Sequence, residues 1–337
     1  MNSLPPLPLI DGCLFVDNSM LELLTTCPRA LEYNRLHQRV AAVSKPSLAF
    51  GSAIHLALEH RYKNYGVHAP DVSLEMEQSE ILSRFFEANP APADDFRNLN
   101  WAFEMVKRYN QTYDLEPFQL LTDVKGDKMV ELSFALPLFT YKVSESNEPL
   151  LQKLLDIPVI YTGRIDLPVI WDNQLFIGDH KTTSMIGPSF FDKMKMSAQQ
   201  KGYAWAFGEL TGQKPVGYFI NAIRTKEPPL SLGKEGGRTK QTVAQWWRET
   251  FQRERYFLQP GELDEWKSNA IALVEEMFYH YQKGYMPMKT AWCNSYGRCP
   301  YYDVCSLPQS DRNIALQSGW FTKNVWDPLK KPTQAKQ

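Results

Sequence analysis

Residues 159–183 read VIYTGRIDLPVIWDNQLFIGDHKTT. Two runs rich in β-formers, Val159 to Trp171 and Leu175 to Asp179, flank Asp172-Asn173, a pair suited to a tight turn, so the stretch predicts a β-hairpin. Pro168 cannot donate to a sheet ladder, which predicts a bulge or an edge there. Asp179 and Lys181 lie two apart and share one face of their strand. Asp166 lies on the opposite arm and can approach Asp179. Two carboxylates this close repel unless a cation sits between them. Hard oxygen ligands with open positions suit magnesium or manganese, and such an ion polarises a phosphate and acidifies a bound water. A neighbouring lysine can orient that water or neutralise charge developing on the phosphate. By itself the string Asp-x-Lys reads as an ordinary solvated strand end with a salt bridge; the hairpin and its apolar flanks add weight to a site without deciding it.

Working outward, residues 18–40 predict helix, split in two by Pro28. Further helices are expected at about 49–65, 74–88 and 97–113, the last two separated by a loop containing NPAPADD. A strand follows at Val130 to Leu138. After the hairpin come a helix from Ser189 to Thr211 ending near Gly212, and a strand from Val216 to Ile223. Residues 224–240 form a polar, basic loop with Gly233, Gly236 and Gly237. Helices at about 242–257 and 262–284 precede a cysteine-bearing segment and a polar tail, KKPTQAKQ, expected to be mobile. This order predicts an α/β protein, a mixed sheet with helices on its faces.

The 337 residues are 43% hydrophobic and 22% charged, enough for a sizeable core. With 37 basic and 38 acidic residues the formal net charge is −1, so nucleic acid is not announced by overall field; any binding must use local basic clusters. No run approaches the ~18 apolar residues of a membrane span, and the N-terminus lacks the basic and apolar regions of a signal peptide. A cytoplasmic setting is expected, where five cysteines read as ligands, nucleophiles or buried thiols rather than disulfides.

Gly163-Arg164-Ile165-Asp166, a hairpin, then Asp179-His180-Lys181-Thr182 resembles the core of the PD-(D/E)XK nuclease superfamily, in particular its RecB-type exonuclease branch. The resemblance implies a restriction-endonuclease-like mixed sheet flanked by helices, metal ligation by Asp166 and Asp179, and a catalytic role for Lys181. It also implies that His55, in the helical segment Phe50-Gly51-Ser52-Ala53-Ile54-His55, completes the metal shell, although a helix-surface histidine is the plainer reading of that residue. Gln199 and Tyr203, i and i+4 on one helix face, correspond to a Gln-x-x-x-Tyr pair that positions the active site or the DNA; Gln200 is the competing register. Glu131 stands where the family often has an acid, and reads equally as a solvent-facing strand residue.

Cys27, followed by Pro28-Arg29, stands near one end. Cys293, Cys299 and Cys305 stand near the other with five residues in each gap. Four thiolates suit zinc or an iron–sulfur cluster; close C-x2-4-C pairs typical of structural zinc are missing, which favours the cluster. The pattern is similar to that of iron–sulfur nucleases of the AddB and CRISPR-adaptation types, and this similarity implies a 4Fe-4S cluster on Cys27, Cys293, Cys299 and Cys305, with zinc the alternative. Cys13 is assigned to packing. Arg29, Arg35 and Arg39, in the helical region that also holds Tyr33, and Lys226, Lys234, Arg238, Lys240, Arg248, Arg253 and Arg255 are candidate phosphate contacts, and Trp246 and Trp247 candidate base-stacking groups; each also reads as solvated face or core.

The expectation is one nuclease domain over residues 1–305, with a helical insertion at about 60–125, a segment 293–305 tied to Cys27, and a C-terminal extension at 306–337. The expected function is metal-dependent hydrolysis of DNA, as an exonuclease on ends or single strands in recombination, repair or replication, with a helicase or recombination partner. A nuclease trimming CRISPR spacers and a non-catalytic DNA-binding subunit are the alternatives.

Overall fold

Asp172 and Asn173 both take left-handed backbone, at φ 51° and 61°. Two such central residues make the type I′ geometry that matches strand twist, and these two residue types tolerate it best after glycine. This turn closes the β-hairpin in the computed structural model, which describes residues 4–43, 45–64, 72–143, 156–227, 242–295 and 297–328.

In chain order the elements begin with β1 (Leu14–Val16), α1 (Asn18–Thr26), α2 (Pro28–Leu31), β2 (Arg39–Ala41), α3 (Pro46–Asn64), α4 (Val72–Ala88) and α5 (Leu99–Thr112). Strands β3 (Phe118–Leu120), β4 (Leu132–Tyr141), β5 (Ile157–Ile165), β6 (Leu167–Trp171) and β7 (Gln174–Thr183) follow. Next come α6 (Pro188–Lys195), α7 (Ala198–Thr211), β8 (Gly217–Arg224), α8 (Val243–Arg248) and β9 (Phe251–Phe257). The chain closes with α9 (Glu262–Gln282), α10 (Tyr302–Ser306), α11 (Gln309–Leu316) and β10 (Phe321–Lys323). These elements form two compact units, one from residues 1–44, 133–163 and 261–332, the other from 45–132 and 164–260.

In the first unit β5 is central in a three-stranded sheet, parallel to β1 with Val159 opposite Leu14. Asp17 caps α1 by accepting from Met20 N at 2.7 Å and pairs with Arg35 at 3.0 Å. Pro28 ends one helix and starts another, as its missing N–H allows at a first helical turn.

The second unit is built on a mixed five-stranded sheet in the order β3-β6-β7-β8-β9, antiparallel except for β7 beside β8. One face carries Leu167, Val169, Phe176, Phe219, Ile223 and Phe251, which pack on Phe50, Ile54, Leu58, Val106 and Tyr109 of α3 and α5. Helix α7 covers β7 and β8, and on α7 Ala204 and Phe207 are buried. Gly212 ends α7 in left-handed backbone at φ 72°, the usual glycine cap. The α/β class and the mixed sheet flanked by helices expected from the sequence are thus observed.

Four local expectations are corrected. The arm from Val159 to Trp171 is not continuous: it breaks at Asp166, so β5 and β6 belong to different sheets. Pro168 is neither bulge nor edge: it pairs opposite Ile177 in unbroken register, and on its other side its carbonyl accepts from Leu121 N–H at 3.3 Å. The helix expected at 189–211 is two helices divided at Met196 and Ser197. The helix expected at 242–257 stops at Arg248, and Phe251–Phe257 is a strand paired along β8. Tertiary pairing overrides weak local preference there: Arg253 on β9 finds a buried carboxylate, Glu116, at 2.5 Å. The glycine-rich basic loop from residue 228 onward and the tail KKPTQAKQ lie outside the described residues.

Candidate active site

Every residue of this site belongs to the second unit. Leu167 of β6 pairs with Gly178 of β7, so Asp166, one residue before, comes up beside Asp179. Asp166 Oδ2 accepts from the backbone N–H of His180 at 2.9 Å, which fixes the carboxylate against β7. Gly178 is required: a Cβ there would come within 2.4 Å of the Phe219 ring.

Lys181 points to the same side as Asp179. Its Nζ lies 2.8 Å from Asp179 Oδ2 and 3.1 Å from Oδ1, and donates to Gln199 Oε1 at 2.9 Å. Gln199 Nε2 in turn donates to the Tyr203 hydroxyl at 3.1 Å. Gln199 rather than Gln200 faces the lysine; Gln200 is fully buried with both amide atoms unpartnered.

Helix α3 brings His55. Gly51 lies one turn earlier on the same helix face, and a side chain there would meet Thr182 Oγ1 at 2.8 Å; the glycine lets α3 lie close on β7. His55 Nδ1 sits 3.5 Å from Asp166 Oδ2 and 3.9 Å from Glu131 Oε1. Glu131 adopts φ 55°, a strained conformation for this residue type. Its N–H donates to Asp166 O at 2.9 Å, and its side chain, 5% exposed, pairs with Arg164 Nε at 2.5 Å. Among the described residues, His55, Glu131 and Asp166 form the one group whose ligand atoms lie within 4.8 Å of each other. Glu131, which the sequence leaves open between family acid and solvated residue, is therefore part of the cluster, while Asp179 faces it from the lysine side. Nothing local in the sequence marks Glu131, because its placement depends on a left-handed backbone and on a bond to Asp166.

Burial raises the pKa of both Asp166 and Asp179; Asp166 is lowered in part by His55 and raised by Glu131, and Asp179 is lowered in part by Lys181. Burial alone would lower His55, yet Asp166 and Glu131 outweigh it and lift the imidazole to about 9. Lys181 also rises, burial being overcome by Asp179 and Asp166. The pocket is thus rich in negative charge. Glu131 Oε2 and Asp179 Oδ2 are buried without an aligned hydrogen bond despite their ion pairs. Hard oxygens short of donors, with an imidazole beside them, fit a divalent cation.

His180 points to the other face of β7. It stacks on Tyr62 at 5.4 Å and 12°, and Asn221 Nδ2 contacts its Nδ1 at 2.7 Å. Burial, then the positive charges of His55 and Arg253, hold His180 well below the usual imidazole range.

In the first unit Cys27, Cys299 and Cys305 border one small core with Tyr33, Tyr301 and Val304. Cys299 N–H donates to Cys293 O at 2.8 Å. Burial raises the Cys305 thiol to about 11, with Arg29 opposing and Cys27 and Cys299 adding to the rise.

Several candidate DNA contacts serve the interior instead. Arg29 is buried and donates to Met286 O at 3.2 Å, Arg35 pairs with Asp17, and Tyr33 and Trp246 are core. Arg253 pairs with the buried Glu116 and Trp247 stacks on Phe251, whereas Arg255 pairs with Asp172 at the surface, at 2.6 Å. Lys226 and Arg248 are exposed; Lys234, Arg238 and Lys240 lie outside the described residues. Among the described residues no helix is long and apolar enough to cross a membrane.

A helix-flanked mixed sheet carrying Asp166, Asp179 and Lys181 at one end defines a class of α/β proteins with a carboxylate–lysine centre. The model of the PD-(D/E)XK nuclease superfamily matches residues 18–306, and the chain belongs to that superfamily. A search of curated proteins finds no match. Among solved structures the chain is similar to a candidate exonuclease from Eubacterium rectale, at 13% identity and a TM-score of 0.47, covering 90% of this chain and 93% of that one.

Proposed function

We propose that the protein is a divalent-metal-dependent deoxyribonuclease whose centre comprises His55, Glu131, Asp166, Asp179 and Lys181. The observation that supports this reading most is the convergence of two buried aspartates, a glutamate and a histidine beside a lysine whose charge is already shared by Asp179 and Gln199. His55, Glu131, Asp166 and Asp179 would hold magnesium or manganese; when bound, the ion polarises a phosphodiester and makes an attacking water more acidic. Lys181 acts from a fixed position. Asp179 and Gln199 hold its ammonium, and Tyr203 holds Gln199, so its positive charge is pre-oriented toward charge developing on the phosphate. The substrate proposed is DNA, attacked at ends or as single strands, during recombination, repair or replication and together with a helicase or recombination partner. That finer assignment rests on the likeness of GRID and DHKT to the RecB-type branch. Duplex and single-stranded DNA labelled separately at each end test it: an exonuclease releases mononucleotides or short oligomers progressively from one end, whereas internal cuts from the first time point defeat the exonuclease assignment.

The same reading includes a 4Fe-4S cluster on Cys27, Cys293, Cys299 and Cys305, supported by three of these thiols bordering one core and the fourth hydrogen-bonded to it through the backbone. Anaerobically purified protein should be brown and contain iron and sulfide. Colourless protein with stoichiometric zinc overturns the cluster.

A further inference from the structure

Arg164 stands two residues before Asp166, and both side chains reach Glu131. Its side chain is 35% exposed, against 5% for Glu131, and its Nε lies 2.5 Å from Glu131 Oε2. The guanidinium is a planar fork of five donors. Nε is the guanidinium nitrogen nearest Glu131, and no hydrogen bond from the two terminal nitrogens is found among the described residues. Lys181 differs: its ammonium is committed to Asp179 and Gln199. Lys181 and Arg164 are therefore held differently, the lysine by its whole charged head and the arginine through Nε.

A substrate phosphate approaching Glu131, Asp166 and Asp179 meets negative charge. A guanidinium at the rim offsets part of that repulsion, and its outer edge matches two non-bridging phosphate oxygens in a bidentate pair. An arginine serving only to balance Glu131 has no need of a fork, nor of a partly exposed side chain. We infer that Arg164 is a substrate-binding residue: Glu131 holds its Nε while its terminal nitrogens clamp a DNA phosphate next to the centre. The inference rests on the nuclease function proposed above and adds to it the residue that seats the backbone of the substrate.

The test measures binding of fluorescent single-stranded DNA to the full-length protein in calcium, with gels verifying that the DNA stays intact. Wild type, R164K and R164Q are compared over a salt series, with thermal melts verifying that each variant is folded. One lost phosphate contact should lower the slope of log affinity against log salt by about 0.7 on single strands. R164Q should bind about tenfold to a hundredfold more weakly, the usual effect of a charge-assisted bond. R164K, which keeps the charge and loses the fork, should restore the slope but only part of the affinity. On the substrate side, a neutral methylphosphonate is moved along the strand. Wild type should lose affinity at one linkage where R164Q loses nothing further. This pairing does not arise from a merely structural role at Glu131. If R164Q keeps the wild-type slope and the wild-type methylphosphonate pattern, the inference is overturned while the nuclease reading stands. If wild type itself neither binds nor cleaves DNA, the nuclease reading fails and the inference with it.

Discussion

Replacing Glu116 with Gln tests how firmly the scaffold behind the site is held. Glu116 is fully buried and accepts from Arg253 at 2.5 and 3.1 Å and from the Tyr62 hydroxyl at 2.8 Å, with Arg61 3.6 Å away. Both arginine side chains are only 5% exposed. Arginine does not give up its proton in a protein, so a neutral amide at 116 leaves buried positive charge uncompensated. Removing one partner of such a pair costs about 3–5 kcal/mol. For a unit of 150–250 residues each kcal/mol moves Tm by about 2–4 °C, so the expected drop is roughly 6–20 °C. Glutamine keeps the shape and one acceptor, which places the expectation near the lower end. The effect should reach the site. Arg253 Nε also donates to Asn221 Oδ1 at 3.1 Å, and Asn221 contacts His180, between Asp179 and Lys181. Urea titration and thermal melting of wild type, E116Q, R253M and the double variant give the numbers. The double variant should lose less than the sum of the singles, since Met at 253 removes one of the stranded charges. A loss in E116Q below about 1 kcal/mol, the range of surface pairs, would refute the reasoning.

Three further outcomes are expected. Gly178→Ala, whose new methyl would sit 2.4 Å from Phe219, should destabilise the fold by about 1–3 kcal/mol in a urea titration; an unchanged midpoint contradicts the close approach. Glu131→Gln should weaken manganese binding in calorimetry by at least about tenfold, the lower bound for losing support at a metal site, and unchanged affinity would remove Glu131 from the ligand set. Gln199→Ala releases Lys181 from one of its holders and should lower kcat by about a hundredfold with little change in KM, as misplacement of a reacting group does; a change in KM alone would assign Gln199 to binding.

Much of this arrangement can be read from the chain because it follows short-range rules. The period-two geometry of a strand puts Asp179 and Lys181 on one face, and the Asp172-Asn173 turn fixes the register that sets Leu167 opposite Gly178. Gly51, as the small residue one turn before His55, also has a local signature. Other features depend on partners distant in sequence. Arg253 reads as a helix residue until Glu116, 137 positions away, supplies its counter-charge. The break at Asp166 is invisible in a run of β-formers, because it arises where the chain leaves one sheet for another. Glu131 enters the cluster through a left-handed backbone that its sequence does not announce. Several of the aromatic and basic residues considered for DNA serve the interior, since composition cannot separate a buried Arg29 or Trp246 from an exposed one.

The most direct test of the central claim is a cleavage time course with end-labelled DNA, comparing wild type and Lys181→Ala in manganese, in magnesium and in chelator. Degradation by wild type that requires the metal and falls by at least about a hundredfold in the variant, as loss of one charge-stabilising donor does, is the predicted result. Equal rates for the two proteins, or undiminished cleavage in chelator, would contradict it.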